Sequence, residues 1–235
     1  MQPVNINYLT RLIKPYSSYL LQAFSKLDSY RISSKKRIEY LNKINQAVFD
    51  KISEQLSETL EHNQVISHRT VSSITNDPTW VIYGIIEPSH FLFHNPNFAY
   101  GIGYYDHGVL QHVCCFDVIR DEMFTASLGK GVQLNQKKYR LSSLAAMDST
   151  WLNMIVDPSA DWSRPASQTN GSLVVKQLSL LDFAYLATNR INLIVKPKQG
   201  LDQALNDAGN LFFQEAGGVL DDTNEQQLLP NYFQL

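Results

Sequence analysis

Two long amphipathic patterns open the chain. Leu9, Leu12, Ile13, Tyr16, Leu20, Ala23 and Phe24 recur at three- and four-residue spacing, which predicts a helix with one apolar face. Pro15 sits inside that pattern and predicts a kink, because proline lacks the N–H and clashes with the preceding turn. A second helix is predicted over 36–60, with Leu41, Ile44, Val48, Ile52, Leu56 and Leu60 as its apolar stripe and Ser33 or Ser34 as its cap. From Val65 the pattern shifts to short β-rich runs. A buried strand is predicted over 81–86, and a meander of strands over 99–105, 109–116 and 122–127. His107-Gly108 and Gly129-Lys130-Gly131 supply tight turns, since glycine tolerates positive φ. Further on, strands are predicted over 151–156 and 191–195, a polar loop over 157–171, and helices over 178–188 and 201–216. Asp202 or Asn206 stands near the start of the last helix, Gly217-Gly218 closes it, and a strand is predicted to begin at 219–221. Helices, then strands, then helix and strand in alternation predict an α/β layered architecture.

Composition changes this picture little. With 235 residues, 44% hydrophobic and 18% charged, the chain is too apolar for disorder and long enough for one large α/β domain or two smaller units. A net charge of −2 carries no strong nucleic-acid signal. Cys114 and Cys115 are adjacent, so on a strand they point to opposite faces; a disulfide between them is disfavoured and two buried thiols are expected. No signal peptide and no apolar run near the roughly 20 residues of a membrane span are visible, and a cytoplasmic protein is the expectation.

Three segments carry a family resemblance. Asn76-Asp77-Pro78-Thr79-Trp80-Val81-Ile82 resembles the approach to the Asp-Pro-Ile-Asp-Gly-Thr signature of the inositol monophosphatases. The stretch 98–142, with Glu122-Met123-Phe124-Thr125-Ala126 and Asn135-Gln136-Lys137-Lys138, is similar to the strand-turn-strand that follows it. Gln214-Glu215-Ala216-Gly217-Gly218-Val219 matches the Glu-Ala-Gly-Gly end of the last catalytic-domain helix, and Leu186-Ala187-Thr188 resembles a substrate-side helix end. None is specific alone; their order and spacing are. The resemblance implies an αβαβα sandwich of the inositol monophosphatase type, in two parts over 1–143 and 144–235. It is expected to be C-terminally shortened, because the chain stops soon after Asp222. A sheet edge is then expected to lie open or to be covered by Tyr232-Phe233 or by a second subunit.

In that family the chemistry is magnesium-assisted hydrolysis of phosphate esters, which needs several carboxylates converging on one small volume. Laid on this chain, the resemblance puts other residues at those positions. The metal-bridging glutamate of Gly-Glu-Glu-Ser falls on Arg69, within Ser67-His68-Arg69-Thr70. The signature falls on residues 83–88, so its aspartates become Tyr83 and Ile86 and its threonine Pro88. The Trp-Asp pair falls on Ala204-Leu205, an acidic residue of the second helix on Asn45, and a substrate-contacting glutamate near Lys196. Aliphatic side chains ligate nothing, and an arginine repels a dication by several kcal/mol at about 4 Å. The expectation is a pseudophosphatase with no catalytic residues and no cofactor, acting as an interaction module with an unidentified protein partner.

Other side chains near those positions offer substitutes for the lost groups, and each also has an ordinary role. Asp202 and Asp207 lie near the missing aspartate, but an aspartate there is ordinarily a helix cap. Glu87, His90 and His94, with His68 in reach, form an acid-histidine cluster that a transition metal would suit, although such residues on a loop are usually solvated. Arg69, His68 and Lys196 form a candidate site for a small phosphorylated ligand held without hydrolysis. Residual magnesium phosphatase activity is the further alternative. The resemblance also implies a homodimer, with some of Phe91, Leu92, Phe93, Phe98 and Tyr100 near its contact; otherwise they are core.

Overall fold

A computed structural model describes residues 4–29, 33–59, 63–68, 74–141, 153–160, 172–197, 200–218 and 227–228. The chain divides into two compact units, Met1–Phe124 and Thr125–Leu235.

The first unit begins with helix α1 (Ile6–Ile13), capped by Asn5, whose side chain accepts the Tyr8 N–H at 3.2 Å. Pro15 lies in a 3-10 turn, Lys14–Tyr16, that breaks the first amphipathic pattern in two, as expected for proline; α2 (Ser17–Ser29) continues it. Helix α3 spans Ser34–Thr59. Its stripe Leu41, Ile44, Val48, Ile52 and Leu56 is buried. Each such side chain contributes about 1.5–3 kcal/mol on leaving water. Leu60 lies outside the described residues.

The helices pack their stripes on four strands in the order β1-β2-β3-β4: β1 (Gln64–Ser67), β2 (Thr79–Ile86), β3 (Ala99–Asp106) and β4 (Val109–Asp117). β1 runs parallel to β2, and the later pairs are antiparallel. The β3–β4 hairpin turns at His107 (φ 51°) and Gly108 (φ 74°), the left-handed pair that suits strand twist. β1 pairs with β2 only as far as Ile82, and a bulge at Ile82/Gly84 follows, with Gly84 at φ 74°. Cys114 and Cys115 on β4 are both buried thiols, not joined in a disulfide. Phe91, Phe98 and Tyr100 are core residues, 0–1% exposed, while Phe93 is 73% exposed. The segment after β2 is not a plain loop: Pro88–Leu92 forms a short helix, α4, with Glu87 before it at φ 59°.

β5 (Glu122–Ser127) carries the chain across the boundary. In the second unit β6 (Gly131–Leu134) and β7 (Lys137–Tyr139) form a hairpin through Asn135 and Gln136, both at positive φ. A separate sheet has the order β11-β10-β8-β9, from β8 (Asn153–Val156), β9 (Ser172–Val175), β10 (Leu193–Val195) and β11 (Gln227–Leu228). β9 is unheralded by any strong alternation. β11 lies antiparallel along β10 and occupies that edge. The strand expected at 219–221 and Tyr232-Phe233 lie outside the described residues. Helices α5 (Leu180–Ala187) and α6 (Gln203–Glu215) pack together in this unit. Asp202 caps α6, and Gly217 at φ 101° ends it. Among the described residues no helix is long and apolar enough to cross a membrane.

Candidate functional site

α3 presents Asn42, Asn45, Gln46 and Phe49 at i, i+3, i+4 and i+7, a polar face beside its apolar stripe. That face overlooks the end of β1 and the bulged part of β2, and together they line a cavity of about 270 Å³, partly open to solvent, in the first unit. Ser67, His68, Ile82, Tyr83, Gly84, Ile85 and Tyr100 complete its lining. The bulge explains the anchoring contact: among the described residues the β1 pairing of β2 ends at Ile82, and the buried Ile85 N–H donates to Asn45 Oδ1 at 2.9 Å. Gly84 keeps this approach open, since a Cβ there would lie 3.0 Å from Asn45 Oδ1.

The rings of His68 and Tyr83 lie 5.8 Å apart with planes 22° from parallel. Tyr100 is 1% exposed, and its hydroxyl has no hydrogen-bond partner within the described structure. Burial, with Tyr16 nearby, pushes its pKa well above the ordinary tyrosine value, so the hydroxyl keeps its proton. Gln46 Nε2 donates to Asp50 Oδ1 at 2.7 Å.

Of the residues singled out from sequence, His68, Tyr83 and Asn45 meet at this cavity. Ile86 is buried at the end of β2, and Arg69 lies outside the described residues. Leu205, Asp202 and Lys196 belong to the second unit. There the Asp202 carboxylate accepts the Leu205 N–H at 3.1 Å, as a helix cap does. Lys196, 8% exposed at the end of β10, donates to Asn206 Oδ1 at 3.0 Å and Asn210 Oδ1 at 3.1 Å. The acid-histidine cluster is spread out by α4. His90 Nδ1 is 2.8 Å from the Asn97 carbonyl, which can only accept, and 4.0 Å from Glu87 Oε2. His94 stacks on Phe24 at 4.2 Å. Among the described residues no three His, Cys, Asp or Glu side chains lie close enough to hold one metal ion.

Sequence reasoning missed Asn42, Gln46, Phe49 and Tyr100 as site residues. The α3 residues had a signal, their shared helical face. Tyr100 had none, because an alternating strand pattern does not say which buried ring borders a void.

A hard divalent cation wants several carboxylate oxygens. The described lining offers carboxamide, phenol, imidazole and hydroxyl groups and no carboxylate, and it does not fit magnesium. The Asn45 oxygen is engaged by the backbone of β2.

The sequence profile of the inositol monophosphatase family matches residues 6–234. Nus factor SuhB of Xylella fastidiosa is 25% identical over 231 residues, spanning 94% of this chain and 83% of that protein. Among solved structures, the extragenic suppressor protein SuhB of Bartonella henselae superposes with a TM-score of 0.71 at 20% identity, over 90% of this chain and 84% of that one. Staphylococcal IMPase-II superposes with a TM-score of 0.69 at 19% identity, over 94% and 83%.

Proposed function

The chain belongs to the inositol monophosphatase family, and from that premise we propose that it is a non-catalytic member, working by binding rather than by phosphate-ester hydrolysis. One observation carries the reading. The cavity beside the segment that resembles the metal-binding signature is lined by Asn45, Tyr83, Gly84 and Ile85, without a carboxylate among its described residues. Catalysis in the parent family depends on charge: cations neutralise the phosphoryl oxygens and lower the pKa of a water. Neutral amides and phenols neither gather those cations nor replace their charge, so binding is the chemistry left to this pocket. A relative that bears a factor's name, Nus factor SuhB, supports an interaction role. The unidentified protein partner and the homodimer belong to the same proposal, and sedimentation at several concentrations tests the latter; a concentration-independent monomer excludes it.

The test of the main reading is release of inorganic phosphate from inositol monophosphate with millimolar magnesium. The expected rate equals that of the protein-free blank. Turnover abolished by a chelator overturns the reading. A residual phosphatase resting on Asp202 is the competing reading, though that carboxylate already caps α6. If activity is found, Asp202→Asn abolishes it on that reading, and an unchanged rate excludes Asp202.

A further inference from the structure

We draw no further inference here: the strongest candidate, the apolar β9 edge of the second unit's sheet with Leu173, Val174 and Val175 exposed, carries nothing because nothing in the structure shows what covers it.

Discussion

Replacing Asn45 with alanine tests the contact that shapes the cavity floor. Ile85 is 4% exposed, and its N–H donates to Asn45 Oδ1 at 2.9 Å, beyond the described pairing of β1 with β2. Asn45→Ala leaves that N–H buried and unpaired, at a cost of about 1–3 kcal/mol. Alanine returns up to about 0.7 kcal/mol as the better helix former. The net loss is about 0.3–3 kcal/mol. With a urea slope near 3 kcal/mol per molar, the midpoint falls by roughly 0.1–1 M. Asn45→Asp keeps an acceptor oxygen at the same place and separates this hydrogen bond from simple loss of volume. Its midpoint is expected to stay within about 0.3 M of the parent's, because the carboxylate accepts strongly but pays desolvation in a half-buried site. Urea melts of the parent and both variants by circular dichroism measure this. A midpoint for Asn45→Ala equal to or above the parent's, at unchanged slope, refutes the reasoning.

Three further expectations concern stability. Glu215 accepts the N–H groups of Gly129 at 2.6 Å and Gly131 at 2.7 Å, so Glu215→Ala frees the turn before β6 and costs about 1–3 kcal/mol in urea unfolding; an unchanged midpoint counts against the clamp. A Cβ on Gly209 would meet the Phe183 ring at 2.7–2.8 Å, so Gly209→Ala lowers the melting temperature by overpacking about 1–3 kcal/mol despite its better helix propensity; a higher melting temperature rejects this. Burial raises the pKa of the Cys114 thiol and, with Tyr16 nearby, that of the Tyr100 hydroxyl, so both keep their protons in the folded state after the unfolded chain has lost them. Their contribution is complete below the ordinary values of 9.0 and 10.0 and is progressively lost as pH rises past them. Melting curves between pH 8 and 11 should show that decline, and a rise in stability over the window is incompatible with it.

Much of the secondary structure is legible in the chain because its signals are local. Pro15 breaks the first helix through its missing N–H and lands in a 3-10 turn. The Leu41-to-Leu56 stripe foretells the buried face of α3, and His107-Gly108 is the left-handed turn its residue types allow. α4 was not legible: its five residues, Pro88–Leu92, are too few to show a period. β9 was also missed, since Leu173, Val174 and Val175 form an apolar run without alternation, and all three are exposed. For the site, the resemblance marked His68, Tyr83 and Asn45, which do line one cavity.

By itself, then, the sequence determined the family, the α/β order of elements and the helix stripes. Only the tertiary structure brought Asn42, Asn45 and Gln46 on α3 to the same void as His68, Tyr83 and Tyr100, and left the Tyr100 hydroxyl without a partner. The physical reason is range. Periodicity and turn chemistry act between residues a few positions apart. A cavity forms where a helix face and strands up to 58 positions away in the chain fail to fill the space between them, and that depends on packing the whole unit at once.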